Sequence, residues 1–351
     1  MRRILPNLVG NDGLRARLGA GLTAQVPDVS HAYIIEGVKG MGKHTLAVNF
    51  AAALCCEHRL EQTHDLPCGK CPACRKIFSG ISPDVIEIGR EDKASLGIDS
   101  IRGLRQDVHI YPNDLDRKIY IINDADTMTT QAQNAFLLTL EEPPSYAVFL
   151  LLCENSHELL ETVRSRAPVL RMQPLTAEQT AQVVLDRMPE AEDVKRRDER
   201  RFYELTAASG GCAGKAILLL SDADKAKEAD RIMALREHAA KFCQLCADSR
   251  QGAQAMKHLI SGKAVARDEA SEMLETIRLA LRDLTLLKRD ADAPLLFFVD
   301  RERAVELSDS YSLRRLLTLC DSVADAISSL DRNMNVRLTL MKMLSVSGMF
   351  D

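Results

Sequence analysis

The sequence has no tryptophan, and aromatic residues make up only 4% of its 351 positions. Proteins that stack nucleic-acid bases on aromatic platforms need more of them, so this class is disfavoured. A strong charge of either sign is also missing, because 46 Lys and Arg stand against 50 Asp and Glu, for a net charge of -4. That balance excludes a nucleic-acid binder that works through bulk positive charge, although it leaves room for a local basic strip.

Long apolar segments are absent as well. The longest clean apolar run is Ala147–Cys153, far short of the roughly 20 residues that cross a bilayer. At the start of the chain, Pro6 and Asn7 interrupt the apolar core that an export signal needs. We therefore expect a cytoplasmic protein, in which the ten cysteines stay reduced and are buried, metal-bound or catalytic rather than paired.

What the sequence does contain is a change of pattern along its length. A chain of 351 residues predicts two or three domains. Residues 1–175 alternate short β-rich runs with helical patterns, which predicts a parallel sheet covered on both faces. Residues 176–222 open with a helix start at Thr176–Gln179, and residues 223–351 predict helices only. In that last zone two apolar stripes at helical spacing are interpreted as core positions, namely Met273, Ile277, Leu281 and Leu284, and Leu313, Leu316, Leu317 and Cys320. The predicted strands are Ala32–Glu36, Asp84–Ile88, Lys118–Ile122 and Val148–Cys153, with Val169–Met172 as a candidate fifth.

A glycine-rich loop joins the first predicted strand to a helical pattern. The segment Gly37–Lys43, with a further glycine at Gly40, has the spacing and the context of a phosphate-binding loop. Such a loop points backbone N–H groups inward, and its lysine adds positive charge for phosphate. The next position normally holds a Ser or Thr for magnesium, but here it is His44, with Thr45 one residue later. The pattern indicates nucleotide-binding architecture and puts magnesium in doubt, because magnesium prefers oxygen ligands. A glycine turn without a ligand remains the alternative.

A second departure follows the strand Lys118–Ile122. A hydrolysing ATPase of this architecture needs an Asp at the strand end for magnesium and usually a Glu beside it to activate water. Counted from the end of this strand, Asn123 stands at the position of that Asp and Asp124 at the position of that Glu. Asp126 is interpreted as a helix cap or a surface residue. Because two separate motifs are altered at the positions that serve metal and hydrolysis, hydrolysis is not expected to be the task of this chain.

Cysteines at two-residue spacing form a cluster in the first zone, namely Cys68, Cys71 and Cys74. A tight turn can direct such thiols to one tetrahedral metal, which predicts a structural zinc site. A fourth ligand is available upstream at Cys55 or Cys56, with His58 and His64 as competitors. A redox-active pair is the alternative for the cluster. The other cysteines are interpreted as packing residues, including a C-x-x-C pair inside a helical pattern: Cys153, Cys212, Cys243, Cys246 and Cys320.

Together these motifs resemble the delta-prime subunits of the bacterial DNA polymerase III clamp loader, a family of the AAA+ class. The resemblance covers about the first 220 residues in motif detail and continues to the end of the chain only as a helical collar. Besides the cysteine module, the segments that carry it are Val9–Asn11, His31–Tyr33, Ser82–Asp84, Met128–Pro144 and Thr162–Ala167.

The resemblance implies a fold as well as a set of site residues. It implies an α/β AAA+ core of the P-loop type with a parallel sheet over residues 1–175, into which a zinc module is inserted at about residues 55–75. An α-helical lid over residues 176–222 and an α-helical collar for oligomerisation over residues 223–351 follow. The family's zinc ligands fall on Cys56, Cys68, Cys71 and Cys74. The nucleotide-facing positions are Gly37, Gly40, Gly42, Lys43, His44, Thr45, Asn123, Asp124 and Lys215, where Lys215 stands in place of a phosphate-sensing Arg.

The family's arginine finger falls on Arg166. Such a residue can reach the γ-phosphate of ATP bound to a neighbouring subunit and stabilise charge in the transition state. A surface salt bridge is the alternative for Arg166. The ligands that the resemblance implies are structural zinc and, at the altered phosphate loop, ATP or ADP with magnesium.

The function that the resemblance implies is that of a non-hydrolysing stator of the DNA polymerase III holoenzyme, which helps to load the sliding clamp onto primed DNA. Its partners are the motor (gamma or tau) and delta subunits in a hetero-oligomer, with clamp and primer–template DNA met through the complex. An ATP-hydrolysing motor subunit is the first alternative, and His44, Asn123 and Leu138 depart from the motor pattern. A zinc-dependent DNA-binding regulator is the second, which the charge and the few aromatics disfavour.

Overall fold

The structure, a computed structural model, describes residues 2–25, 28–90, 95–221, 226–248, 254, 255, 257, 259, 266–332 and 334–346. The chain divides into two compact units, Met1–Gln173 and Pro174–Asp351. The predicted division into three domains, with a boundary at residue 222, stays a prediction. None of the helices in the described part of the chain is both long enough and apolar enough to cross a membrane.

The first unit is built on a five-stranded sheet in which all neighbouring strands run parallel. Its strands lie in the order β2-β3-β4-β1-β5. The bounds are β1 Ala32–Glu36, β2 Val85–Ile88, β3 Lys118–Ile122, β4 Ala147–Cys153 and β5 Val169–Arg171. All five strands predicted from the sequence are present, including the candidate fifth. Because the strands are parallel, the loops after β1, β3 and β4 all leave from the same edge of the sheet.

Helices cover both faces of this sheet, as the strand sequences require. Along β3, Ile119 and Ile121 belong to the hydrophobic core on one face, whereas Tyr120 and Ile122 belong to the core on the other; side chains alternate in this way along any strand. The helices against the first face are α1 Asp12–Thr23, α2 Lys43–Leu54 and α3 Pro72–Phe78. Those against the second are α4 Ile98–Asp107, α5 Thr130–Glu141 and α6 Glu161–Arg164.

Asp84, in the motif Ser82–Asp84, anchors the start of β2. Its buried carboxylate accepts hydrogen bonds from the backbone N–H groups of Asn113, Asp114 and Leu115 at 2.6, 2.7 and 2.9 Å. These donors lie in the loop that leads into β3. The motif therefore has a structural explanation, since it ties that loop to the edge of the sheet.

The described residues of the second unit form helices joined by loops, with no strand among them. Its first helix begins with a capping box, in which Thr176 Oγ1 accepts from the Gln179 N–H and Gln179 Oε1 accepts from the Thr176 N–H, both at 3.1 Å. The helix start predicted at these residues is therefore confirmed. The helices are α7 Ala177–Arg187, α8 Ala191–Arg197, α9 Glu199–Ala208, α10 Ala213–Ser221, α11 Ala226–Ala247, α12 Arg267–Leu287, α13 Arg301–Asp309, α14 Leu313–Asp331 and α15 Val336–Val346.

The largest hydrophobic core of this unit lies between α11, α12, α14 and α15, and a smaller one lies among α7, α8, α9 and α10. The stripe predicted on α12, which contains Ile277 and Leu281, is buried as expected. On α14 the prediction was partly wrong, because Leu313 and Leu317 are 37% and 43% exposed. The buried seam of α14 contains Leu316, Leu319, Val323, Ala326 and Leu330 instead. The predicted order of a parallel α/β core followed by helices is nevertheless confirmed.

Candidate functional site

The phosphate loop predicted between β1 and α2 has the expected shape. Gly40 and Gly42 take φ values of 87° and 94°, a left-handed conformation that glycine adopts without a steric penalty. The loop is fixed to the sheet by the Gly37 N–H, which donates to the Cys153 carbonyl at 3.1 Å. Lys43 begins α2, and its Nζ donates to the Gly37 carbonyl at 2.5 Å. The Lys43 ammonium group thus joins the end of the loop to its beginning.

A carboxylate that the sequence analysis missed connects the two altered positions. Glu87, on the edge strand β2, places its Oε1 2.9 Å from His44 Nε2. Its Oε2 lies 3.4 Å from Asn123 Nδ2. The positions that serve magnesium in hydrolysing relatives are therefore linked here through one side chain. No motif signalled Glu87, because its role depends on the pairing of β2 with β3 and on the seating of α2.

Asp124, at the position of the water-activating Glu, is engaged elsewhere. It has a left-handed backbone, with φ 50°, and its carboxylate pairs with Arg90 Nε at 3.0 Å. Asp126 accepts from the backbone N–H groups of Glu154 and Asn155 at 2.8 and 3.3 Å. It therefore holds the loop after β4 rather than capping a helix of its own.

For two further residues that were predicted to face a nucleotide, the structure gives only their position and exposure. Thr45 is half-buried in the first turn of α2, where its carbonyl accepts from Asn49 Nδ2 at 2.8 Å. Lys215 is exposed on α10, in the second unit. The roles of both residues at a nucleotide stay predictions.

The four predicted zinc ligands come together. The Sγ atoms of Cys56, Cys68, Cys71 and Cys74 all lie within 4.8 Å of one another, and Cys68 and Cys74 are 3.9 Å apart. Zinc–sulfur bonds of about 2.3 Å in a tetrahedron place sulfurs about 3.8 Å apart. The cluster therefore fits a tetrahedral metal. Among the described residues, it is the one group of three or more Cys, His, Asp or Glu side chains whose ligand atoms lie close enough together to share an ion.

Backbone N–H groups support the sulfurs. Those of Lys70 and Cys71 donate to Cys68 Sγ, each at 3.4 Å, and that of Cys74 donates to Cys71 Sγ at 3.4 Å. Hydrogen bonds of this kind favour thiolates and orient metal ligands. The hydrogen bond from Cys74 lowers the pKa of Cys56 to about 5. The same hydrogen bond raises the pKa of Cys74, so the pair Cys56 and Cys74 shares one proton between a thiolate and a thiol.

The neighbouring candidates point elsewhere. Cys55 ends α2 and lies outside the cluster, and burial raises its pKa to about 12. His58 Nδ1 and His64 Nε2 lie 2.7 and 3.5 Å from the carboxylate oxygens of Glu61. The geometry thus favours Cys56 over its neighbour and over both histidines, and four thiolates leave no open coordination position for a substrate.

Arg166 follows α6 and is engaged in an ion pair. Its Nη2 lies 2.9 Å from Glu141 Oε1, at the end of α5. Its Nη1 donates to the Thr162 carbonyl at 3.0 Å. The salt bridge that was the alternative for Arg166 is thus present in the single chain, and its role as an arginine finger stays a prediction.

Comparison with known proteins finds similarity to subunits of DNA polymerase III. Residues 22–176 match the family described as "DNA polymerase III, delta subunit". The chain is 34% identical over 196 residues to the DNA polymerase III subunit tau of Bacillus subtilis, covering 55% of this chain and 33% of tau. It is 37% identical over 147 residues to the subunit delta' of the same organism, covering 42% of this chain and 43% of delta'. The chain thus spans less than half the length of these relatives.

Among solved structures, a DNA polymerase III gamma-subunit-related protein from Thermotoga maritima aligns over 95% of this chain and 98% of its own, at 20% identity and a TM-score of 0.36. The family match lies almost entirely in the first unit, which holds the phosphate loop, the cysteine cluster and Arg166. The relatives that the chain matches include tau, gamma and delta' subunits of DNA polymerase III.

Proposed function

We propose that this chain is a delta-prime-type subunit of the clamp loader that does not hydrolyse ATP and helps to load the sliding clamp onto primed DNA. The observation that carries the proposal is the pair His44 and Asn123, linked through Glu87. A hydrolysing relative needs a hydroxyl and a carboxylate at these positions to hold magnesium. An imidazole and an amide supply neither.

In this function the chain acts on a neighbour's nucleotide through Arg166. The guanidinium is 35% exposed, so a phosphate of another subunit can reach it. It would stabilise the charge that develops on the transferred phosphoryl group. The partners are the motor (gamma or tau) and delta subunits in a hetero-oligomer, with clamp and primer–template DNA met through the complex. Residues 223–351 are proposed to carry assembly.

The cysteine cluster has a structural task in this proposal. When zinc is bound, it would join the four thiolates through coordinate bonds and would leave no coordination position open for a substrate. The chain's own residues do the positioning. Cys56 follows the end of α2, whose other end forms the phosphate loop, and Cys71 caps the start of α3. The cluster therefore fixes α2 relative to α3.

ATP turnover by the full-length chain tests the proposal. We expect no hydrolysis above that of a Lys43→Ala variant, with or without primed DNA, in the presence of Mg²⁺. Co-purification with gamma or tau and delta subunits tests the partners. DNA-stimulated turnover that Lys43→Ala abolishes would contradict the stator function.

The motor subunit remains the second candidate, because the match to tau is as close as the match to delta'. It predicts the opposite result in the same assay. Leu138 distinguishes the two candidates as well. The motor family usually carries Lys at this position, whereas this chain has a leucine that is 56% exposed, which favours the stator.

A further inference from the structure

We propose that the phosphate loop carries a metal site in which His44 and Glu87 bind a divalent transition metal together with a nucleoside diphosphate. The inference goes beyond the proposed function, because it concerns binding rather than turnover. It holds whichever position the chain takes in a ring of subunits.

The spacing of the two side chains is that of ligands on one ion. His44 Nε2 and Glu87 Oε1 lie 2.9 Å apart. Adjacent ligands on an octahedral ion with bonds of about 2.1 Å are about 3.0 Å apart. An ion can therefore replace the hydrogen bond between these atoms with only a small movement of either side chain. Both side chains are open to solvent, with 53% and 48% of their surfaces exposed.

Glu87 also restores the charge that the site has lost. Asn123 replaces a carboxylate at the end of β3, and Glu87 supplies one from the neighbouring strand β2. The Asn123 amide faces Glu87 Oε2 at 3.4 Å through its nitrogen. A half-turn of that amide presents its oxygen instead, and the two orientations are nearly isosteric. Asn123 is thus available as a third, neutral ligand.

The phosphate loop provides the rest of the coordination shell. Metal ions at phosphate sites use one or two protein side chains and complete their shell with phosphate oxygens and water. Lys43 and the start of α2 offer positive charge and N–H groups for those phosphates. His44 lies with Lys43 in the first turn of α2, so a metal bound by His44 and Glu87 belongs to the same helix end. The protein ligands and the phosphate-binding groups therefore belong to one site.

The donor set selects the class of metal. An imidazole nitrogen is a poor ligand for magnesium but suits first-row transition metals, and a carboxylate accepts both. The cysteine cluster, in contrast, offers sulfur alone and suits zinc. Mn²⁺ is a suitable probe of the His44–Glu87 site, because it accepts nitrogen and oxygen and is a weak competitor for thiolates.

The chain contains a matched pair for comparison. His58 and Glu61 also form an exposed histidine–carboxylate contact, at 2.7 Å, but they lie in the segment between α2 and α3, away from the phosphate loop. If an exposed pair of this kind were sufficient, both pairs would bind the metal. Glu61→Gln is therefore the control for Glu87→Gln, and His58→Ala for His44→Ala.

The experiment uses the full-length, zinc-loaded chain with Mn²⁺ and ADP, followed by electron paramagnetic resonance. We expect ADP to raise the affinity for Mn²⁺ at least tenfold and the bound ion to show coupling to an imidazole nitrogen. His44→Ala should abolish that coupling, and Glu87→Gln should weaken the binding of ADP–Mn²⁺ at least tenfold. Glu61→Gln and His58→Ala should change neither, and Mg²⁺ should compete poorly.

Three results would overturn the proposal. They are no binding of ADP–Mn²⁺ by the native chain, bound Mn²⁺ without nitrogen coupling, and equal affinity in the native chain and Glu87→Gln. Each readout is independent of hydrolysis, so a failure here leaves the stator proposal intact. Conversely, ATP turnover would contradict the stator proposal without contradicting the assignment of His44 and Glu87 as metal ligands.

Discussion

The guanidinium of Arg166 lies 2.9 Å from the carboxylate of Glu141, and both side chains are partly exposed, 35% and 45%. Exposed ion pairs of this kind contribute only about 0–1 kcal/mol. Arg166 can therefore leave Glu141 for a phosphate group at small cost. The ion pair is therefore compatible with the proposed arginine finger, because a phosphate group can take the place of the carboxylate.

Arg166→Ala tests the role of this guanidinium. We expect turnover at the ATP site that it serves in the reconstituted complex to fall about 10³-fold, which is the lower range for loss of an arginine finger. Assembly should be unchanged, because the side chain is not part of a core. Arg102→Ala is the control, since Arg102 is likewise exposed and paired, with Asp99 at 3.2 Å. Unchanged turnover in Arg166→Ala would remove the residue from the finger role.

The cysteine cluster predicts different outcomes for two neighbouring cysteines. Elemental analysis should find one zinc per chain in the native protein and in Cys55→Ala, and much less in Cys74→Ala. Cys74→Ala or chelation should also lower the unfolding midpoint of the first unit by roughly 5 °C, which corresponds to about 2 kcal/mol for a unit of this size. Zinc retained in full by Cys74→Ala would show that the metal lies elsewhere.

Asp84→Ala should destabilise the first unit by about 3 kcal/mol. The three backbone N–H groups that donate to Asp84 would lose their acceptor, and a buried donor without a partner costs about 1–3 kcal/mol. Urea unfolding of the full chain measures the change. Asp99→Ala, whose side chain is 91% exposed, should shift stability by less than about 0.5 kcal/mol. Equal effects of the two substitutions would contradict the anchoring role of Asp84.

The C-x-x-C pair in α11 should be unreactive in the folded protein. Cys243 and Cys246 are fully buried, and burial raises the pKa of Cys243 to about 12 and raises that of Cys246 as well. Because the thiolate is the reactive form and a raised pKa keeps the thiol protonated, alkylation at pH 8 should require unfolding. Mass spectrometry of the labelled chain reads this out, with half-exposed Cys68 as the positive control after zinc removal. Rapid labelling of Cys243 in the native chain would contradict a packing role.

Local patterns account for what the sequence could predict. The five strands follow from buried β-rich runs, and each observed strand agrees with its prediction to within one residue at either end. The start of α7 follows from Thr176 and Gln179, three residues apart, which form the capping box. The phosphate loop follows from glycine spacing, because only glycine takes the left-handed backbone of Gly42 freely.

What the sequence could not predict depends on contacts between distant segments. Glu87 meets His44 across 43 positions of chain and Asn123 across 36, and no local pattern encodes either contact. The choice of Cys56 over Cys55 was implied by the resemblance alone, because no local pattern fixes where α2 ends and neighbouring residues point in different directions at a helix end. On α14, Leu313 and Leu317 share a period with Leu316, but the packing of α12 and α15 decides which side is buried.

His44 and Asn123, on which the stator proposal depends, lie at the edge of the sheet and outside both of its hydrophobic cores. Substitutions at such positions usually change stability by no more than about 0.5 kcal/mol. A lineage can therefore abandon or recover hydrolysis through one or two codon changes without approaching the stability threshold. One scaffold can in this way serve both hydrolysing and non-hydrolysing subunits.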